Sequence, residues 1–310
     1  MTESNEQDEQ NAARPAGLDR VLVVGAGAMG SQIAMVCALA GYSVRLSDIA
    51  SESLDTALSQ LRARLDRDVE KGRLTATERD AAFGRLETGT DMAALAADAD
   101  LVIEAAVEKL DVKRELFAEL DRICPAGAIL ASNSSSIVPS AMASATLRPD
   151  RFCNIHFFNP ALVMACVEVV RGPETSDETM DTAVQFVRSL GKQPVVLDRE
   201  IPGFVANRIL NAVRDEALFL FENGYADVES VDTACRTALG YPMGPFELMD
   251  LTGLDIGYHV KQARYAETGD PAHAPQRSLA ERVERGDLGR KTGRGWYVYS
   301  ESGHKQGVSS

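Results

Sequence analysis

The sequence predicts an α/β protein, a doubly wound and mostly parallel sheet followed by an all-α C-terminal domain. Three observations predict it. The apolar run Val21-Leu22-Val23-Val24 ends in Gly25-Ala26-Gly27-Ala28-Met29-Gly30, after which Ile33, Ala34, Val36 and Cys37 recur at helical spacing. Strand-like and helix-like segments then alternate as far as Leu197. From Phe204 onward Val205, Ile209, Val213, Leu218 and Leu220 run at helical spacing, and no convincing strand follows before Trp296. Alternation of the first kind means a parallel sheet covered on both faces, with ligands at the carboxyl ends of its strands. Ile201-Pro202-Gly203 is the natural boundary. The expected organisation is a disordered acidic tail over 1–18, a nucleotide-binding domain over 19–201 and a helical domain over 202–310.

The first strand and its glycine turn carry the most information. Gly25 permits the tight turn, Gly27 lets a pyrophosphate approach the backbone, and Gly30 lets the helix pack on the strand. The helix N-terminus, with Ala26, Ala28 and Met29 in the same loop, faces the negative charge. A glycine-rich turn alone is weak evidence, since such turns also occur in structural βαβ units. Here a second strand, Ser43 to Ser47, ends in Asp48, at the spacing of an acid that accepts from ribose hydroxyls. Asp48 would repel a 2′-phosphate, and Ile49, Ala50 and Ser51 offer no arginine to hold one, so the expected cofactor is NAD rather than NADP.

The next segment, about Glu52 to Lys71, reads as a long amphipathic helix with Leu54, Leu58, Leu61, Leu65 and Val69 on one side. Gly72 ends it, and Thr75-Ala76-Thr77-Glu78 has the form of a capping box opening a helix through Phe83. Leu101-Val102-Ile103 is a buried-strand signal ending at Glu104, Leu110 to Ile123 is helical, and Ala128 to Ala131 is a further strand. Glu104, Glu108 and Asn133 fall where strand ends should be. Strands are expected near Phe152 to Phe157, Val167 to Val170 and Pro194 to Leu197, with a helix from Asp177 to Leu190.

Composition narrows the function. A chain of 310 residues, 45% hydrophobic and 25% charged, has the makeup of a globular protein with room for two cores. Acids outnumber bases 46 to 32, a net charge of -14, which argues against nucleic acid and anionic membrane surfaces. The five cysteines are scattered, with neither a disulfide framework nor a metal-ligand spacing, so no metal site is expected. No secretory signal or membrane span is read, and a reduced, cytoplasmic setting is the simple expectation.

Two residues stand out chemically. His156 lies at a strand end in Asn154-Ile155-His156-Phe157-Phe158-Asn159-Pro160, and Glu168 sits among Val167, Val169 and Val170 in the next strand. A histidine in an apolar strand is more often a satisfied core residue, and Glu168 could occupy an exposed face. A carboxylate among valines is costly unless paired, however, and an imidazole is a suitable partner. A His held by Glu would have the fixed tautomer that a base needs to accept a proton from an alcohol while hydride leaves the same carbon.

These residues carry a resemblance. The glycine loop, Ala131-Ser132-Asn133-Ser134-Ser135-Ser136, His156-Phe157-Phe158-Asn159-Pro160, Val167-Glu168-Val169, Pro202-Gly203-Phe204-Val205-Ala206-Asn207-Arg208, Pro242-Met243-Gly244-Pro245-Phe246-Glu247-Leu248 and Gly289-Arg290-Lys291-Thr292-Gly293-Arg294-Gly295-Trp296-Tyr297 are similar, in order, to the L-3-hydroxyacyl-CoA dehydrogenase family. The resemblance covers about Asp19 to Tyr299 and implies a Rossmann-type domain followed by helices. It implies NAD-dependent oxidation of an (S)-3-hydroxyacyl-CoA to the 3-ketoacyl-CoA, or the reverse, in fatty acid metabolism. Residue by residue, it places His156 and Glu168 as the catalytic pair, Ser135 and Asn207 at the reacting oxygen, and Asn159 near the nicotinamide. To the cofactor site it adds Glu108, Lys113, Ser135 and Lys291, where surface lysines would otherwise be the default reading. Arg64 and Lys71, on one helix face with Arg67, match the family's CoA-contacting positions, although Asp66, Asp68 and Glu70 make a solvated face the plain alternative.

The sequence also departs from the family pattern. Leu162 stands where a second proline is usual and Ala165, followed by Cys166, where a lysine is usual. That opens an alternative substrate, the same hydroxyacyl group tethered to an acyl carrier protein. A non-catalytic NAD-binding protein is a remoter alternative, which the presence of both His156 and Glu168 disfavours. The apolar C-terminal helices suggest burial against a second copy, a homodimer.

Overall fold

The computed structural model describes residues 13–309. Of the stretch expected to be a tail, residues 1–12 lie outside the described residues, whereas Leu18 donates its backbone N–H to the Pro15 carbonyl at 3.2 Å and is buried. The chain divides into two compact units, Met1–Val205 and Ala206–Ser310.

The first unit runs β1 (Arg20–Val24), α1 (Ala28–Leu39), β2 (Ser43–Ser47), α2 (Ser51–Glu70), α3 (Ala76–Gly84), β3 (Leu86–Gly89), α4 (Met92–Ala96), β4 (Leu101–Glu104), α5 (Leu110–Ile123), β5 (Ile129–Ser132), α6 (Pro139–Ala143), β6 (Phe152–Phe157), β7 (Cys166–Arg171), α7 (Asp177–Ser189) and β8 (Gln193–Leu197). Its strands form one sheet in the order β3-β2-β1-β4-β5-β6-β7-β8. Every neighbour pair is parallel except β6 and β7. Those two are joined through residues 158–165, too short a connection for a crossover helix, so the second strand must run back along the first. The order reverses at β1 and β4, the place where such sheets open a crevice at their carboxyl ends.

Alternation along β1 builds both faces. Val21 and Val23 pack with Ile33, Cys37, Leu54 and Phe186 on one side, and Leu22 and Val24 with Phe117, Leu120 and Phe152 on the other. In α2, Leu54, Ala57, Leu61 and Leu65 are buried at helical spacing, while Leu58 and Val69 are only half-buried. The capping box opens α3: Glu78 N–H donates to Thr75 Oγ1 at 3.1 Å and Thr75 N–H to Glu78 Oε2 at 2.8 Å. β3 and α4 were not anticipated. β3 is a short edge strand, Leu-Glu-Thr-Gly, with no fully buried residue, so no apolar alternation marks it.

The second unit contains α8 (Ala206–Glu222), α9 (Val228–Thr237), α10 (Pro245–Thr252), α11 (Leu254–Thr268), α12 (Arg277–Arg285) and a closing antiparallel hairpin, β9 (Tyr297–Tyr299) with β10 (Lys305–Val308). Its core gathers Leu218, Phe246, Leu254 and Trp296, with the Phe246 and Trp296 rings 4.6 Å apart and the Arg282 guanidinium 3.8 Å over the indole. Two buried carboxylates fasten the motifs of this unit. Asp232 accepts from Phe246 N–H (2.8 Å), Glu247 N–H (3.1 Å) and Tyr297 OH (2.8 Å). Asp250 accepts from Trp296 N–H (2.8 Å), Tyr297 N–H (2.9 Å) and Tyr299 OH (2.9 Å). A Cβ at Gly244 or Gly295 would collide with these carboxylates, which explains the glycines of both motifs. Among the described residues no helix is long and apolar enough to cross a membrane, and no cluster of potential metal ligands occurs.

Candidate active site

The turn after β1 shows why each glycine is there. Gly25 has φ +102°, and a Cβ on it would meet the Ala105 carbonyl oxygen at 2.6 Å. A Cβ on Gly30 would run into the Gly25 carbonyl. Gly27 differs from both: its φ is -65°, and a Cβ would meet no protein atom within 4 Å. Neither backbone strain nor packing within the chain calls for glycine at 27, and the open space beside this backbone leaves room for a group from outside the protein to approach it. Gly27 is also the N-cap of α1, which receives no side-chain cap and has no acid in its first turn, leaving donors for an anion. Asp48, at the end of β2, accepts from Ala26 N–H at 2.7 Å and Ala50 N–H at 3.0 Å. Those bonds fix the carboxylate beside the loop and leave lone pairs for ribose hydroxyls. The donor set and the open space at Gly27 fit NAD.

At the ends of β4 and β5 lies a polar ring, buried at Glu104, Lys113, Ser132 and Ser134 and exposed at Glu108 and Ser136. Glu104 is fully buried; its Oε1 accepts from Lys113 Nζ at 2.5 Å and Ala106 N–H at 2.7 Å, and its Oε2 from Ser132 Oγ at 2.6 Å. Lys113 is itself buried and reaches Glu108 Oε2 at 3.2 Å. Glu108 accepts from the hydroxyls of Ser134 (2.5 Å) and Ser136 (2.8 Å). Burial works to raise the Glu108 carboxyl, but the Ser134 hydroxyl, the Lys113 charge and the Ser136 hydroxyl together hold it below its ordinary value. Lys113 is therefore no solvated surface lysine. Ser135, between two ring members, has no hydrogen-bond partner among the described residues. Asn133 Oδ1 accepts from Phe157 N–H at 2.8 Å and so ties the β5 loop to the strand that carries His156.

β6 and β7 set the other pair. Their antiparallel register places His156 directly opposite Glu168, and His156 Nδ1 lies 2.8 Å from Glu168 Oε2, both side chains buried. Glu168 Oε1 accepts from Val205 N–H at 2.9 Å. Phe158 and Phe204 wall the imidazole, with ring centroids 4.5 and 5.6 Å away. A carboxylate facing Nδ1 makes that nitrogen the donor, which leaves Nε2 as the acceptor. Asn159 follows, exposed, in the turn after β6. Within that turn Lys192 Nζ donates to the carbonyls of Ala161 (2.8 Å) and Met164 (2.9 Å), and burial lowers its pKa.

The remaining expected positions lie on other elements. Arg64 Nε is bonded to Asp68 Oδ2 at 3.1 Å, Arg67 Nε to its own helix at the Ala63 carbonyl, and Lys71 is the exposed C-cap of α2. Asn207 is in the first turn of α8 and Lys291 is bound to both oxygens of Asp255 at 2.6 Å; both belong to the helical unit. Sequence reasoning missed the role of Glu104, Ser132 and Ser134. The signal was present, because a carboxylate closing the apolar run Leu101-Val102-Ile103 raises the same question of pairing as Glu168.

Comparison with known proteins follows the same division. The family model described as 3-hydroxyacyl-CoA dehydrogenase, NAD binding domain, matches residues 20–201, and the one described as 3-hydroxyacyl-CoA dehydrogenase, C-terminal domain, matches residues 203–299. The chain is 41% identical to a 3-hydroxybutyryl-CoA dehydrogenase of Bradyrhizobium diazoefficiens, over 92% of this chain and 96% of the relative. It is 40% identical to the mitochondrial hydroxyacyl-coenzyme A dehydrogenase of Homo sapiens, over 93% of each. Among solved structures, the (S)-3-hydroxybutyryl-CoA dehydrogenase of Ralstonia eutropha is 40% identical and superposes with a TM-score of 0.85, covering 92% of this chain and all of that one.

Proposed function

The chain belongs to the 3-hydroxyacyl-CoA dehydrogenase family of NAD-dependent oxidoreductases, and from that premise we propose that His156, held by Glu168, is the base that takes the hydroxyl proton of an (S)-3-hydroxyacyl-CoA. The observation that carries this reading is the buried cross-strand pair, 2.8 Å between Nδ1 and Oε2. With Nδ1 committed as donor, Nε2 accepts the proton, and the carboxylate offsets the charge that appears on the imidazole. Bound NAD supplies the acceptor for the hydride that leaves C3, so the alcohol loses a hydride and a proton and becomes the ketone. In the reverse direction the imidazolium returns the proton. Ser135 and Asn207 are assigned to the reacting oxygen by family role, as neutral donors suited to a developing negative charge.

The cofactor roles of the glycine loop, Asp48, Glu108, Lys113, Asn159 and Lys291 belong to the same reading. The hydrogen-bonded ring supports Glu108 and Lys113 in them, because it fixes both side chains before any ligand arrives. CoA is favoured over an acyl carrier protein by the names of the relatives, which are dehydrogenases of CoA thioesters. A homodimer is supported by the exposed apolar side chains of the helical unit, Ile209, Phe219, Ile256 and Val260 among them. A cytoplasmic setting is the simple reading of five scattered cysteines without a disulfide framework.

The test follows NADH absorbance with (S)-3-hydroxybutyryl-CoA. His156→Gln should lower turnover at least ~100-fold, the scale of general acid-base help, while NADH binding stays near the unsubstituted level. A near-normal rate in that variant removes His156 from the chemistry.

A further inference from the structure

We propose that Asn154 is a positioning residue: it sets the Ser135 hydroxyl against the His156 imidazole by tying the serine loop to the strand that carries the base. The inference rests on the roles proposed above for Ser135 and His156 and names what keeps the two in register. Asn154 lies in β6, two residues before His156, and its side chain is fully buried. Cys153, Ile155 and Phe157 pack into the core on one face of the sheet, which puts Asn154 and His156 together on the other.

The amide is committed. Its Nδ2 donates to the Ile137 carbonyl at 2.9 Å and reaches the Ser134 carbonyl at 3.4 Å. Those carbonyls bracket Ser135 and Ser136, so one side chain spans the turn on which Ser135 sits. Oδ1 is buried and has no hydrogen-bond partner among the described residues. Turning the amide over would aim Oδ1 at both carbonyl oxygens, lone pair against lone pair, so the orientation is fixed. An apolar side chain would avoid the orphaned acceptor, and burial alone therefore does not call for an amide here. The two carbonyls do.

β6 grips the loop twice, and His156 lies between the grips. Asn133 Oδ1 accepts from Phe157 N–H, one residue after the imidazole, at 2.8 Å. Asn154 acts two residues before it. These points are about 10 Å apart along extended strand, and pairing with β5 and β7 holds that strand straight. Glu108 takes the hydroxyls of Ser134 and Ser136, while that of Ser135 stays uncommitted among the described residues. A loop fastened through its carbonyls and through two of its three hydroxyls presents the third as a preorganised donor. The donor to the reacting oxygen and the base that takes its proton must meet one atom, so lost register between them shows in turnover and not in cofactor affinity.

The experiment measures kcat and KM for (S)-3-hydroxybutyryl-CoA, and the NADH Kd, in Asn154→Leu, Ser135→Ala and the double variant. Leucine keeps the bulk of the amide and removes its donors. Asn154→Leu should lower kcat at least ~10-fold, while KM and the NADH Kd stay within about 3-fold of wild type. Ser135→Ala should lower kcat at least as far. The double variant should be within about 2-fold of Ser135→Ala alone, because Asn154 then has no hydroxyl left to place. Losses that multiply in the double variant overturn the inference, as does an unchanged kcat in Asn154→Leu. So does a fall in NADH affinity as large as the fall in kcat, the mark of a general structural role. If the leucine variant does not fold, Asn154→Ala takes its place in the same cycle, read by the same outcomes. Wild-type kcat in Ser135→Ala overturns this inference together with the role of Ser135, and leaves His156 to its own test. Should wild type fail to oxidise 3-hydroxybutyryl-CoA at all, the activity reading itself is overturned and this one with it.

Discussion

Glu104 and Glu168 are both fully buried carboxylates in one sheet, yet they are built into opposite kinds of site. Glu104, at the carboxyl end of β4, faces a lysine and is bonded besides to a serine hydroxyl and a backbone N–H. Three hydrogen bonds on two carboxylate oxygens, one of them from a buried lysine, make this a fixed clamp. Glu168, inside β7, faces an imidazole, which has a second ring nitrogen to offer. On the proposed reading, the same acid rigidifies in one place and assists a base in the other. The partner, and not the burial, decides which.

Substituting each acid by its amide is the sharpest way to break that contrast. In Glu168→Gln the imidazole loses the charge that offsets its protonated form, and turnover should fall about 100-fold or more with NADH affinity little changed. In Glu104→Gln the chemistry should survive better, while NADH affinity falls about 10-fold, because Lys113 loses its stronger anchor and the Glu108 loop loosens. Stopped-flow NADH titration beside steady-state kinetics separates the two. If both variants lose affinity and turnover in the same proportion, the distinction between clamp and base assistant is wrong.

The helical unit offers a third way to bury acids, and a smaller effect. Among the described residues Asp250 has no cation in hydrogen-bond contact; two backbone N–H groups and the Tyr299 hydroxyl satisfy it. Tyr299→Phe should destabilise this unit by about 1 kcal/mol, the net worth of one such bond. Trp296 is the single tryptophan and is buried beside this network, so its fluorescence during urea unfolding reads the unit directly. Burial, with the Asp250 charge and hydrogen bond adding to it, pushes the Tyr299 phenol up. A raised folded value means that the folded state keeps a proton the unfolded chain releases. The contribution is full below the ordinary phenol value, about 10, and is lost as pH rises toward the folded value. Tyr299→Phe should flatten that alkaline loss; an unchanged slope would separate the phenol from Asp250.

What the sequence disclosed follows the range of the interactions involved. Local signals were legible: the glycine turn, the Thr75–Glu78 box, the alternation of strands and helices, and the cost of a carboxylate among valines. Lys113 was placed at the cofactor site only through the family resemblance, because its burial depends on Glu104, nine residues away across a strand end and a loop. The roles of Asp232 and Asp250 were invisible for a stronger version of that reason, since Tyr297 lies 65 residues from the first and 47 from the second. β3 carried no pattern, being short and half-exposed. On the basic face of α2 the spacing of Arg64, Arg67 and Lys71 is legible, while the pairing of Arg64 with Asp68, one turn on, is seen only in the folded chain.

That pairing weakens the expected grip on the 3′-phosphate of CoA and makes its test the smallest effect of the set. An arginine already bonded at 3.1 Å to Asp68 gains less from a phosphate than an unpaired one would, and Lys71 is an exposed, solvated cation. Replacing Arg64 and Lys71 together by Ala should raise KM for the CoA thioester several-fold, on the order of 1 kcal/mol, with kcat unchanged. The 3′-dephospho-CoA thioester should be nearly indifferent to the same change, because the group that the cations meet is missing from it. Added salt should shrink the difference in wild type, as it does for any exposed charge pair. A carrier-protein enzyme would behave otherwise: wild type would handle CoA and dephospho-CoA thioesters alike, and both would be poor beside the tethered substrate. Equal KM for the two CoA forms in wild type would remove α2 from substrate binding and leave Arg64 as one half of a surface ion pair.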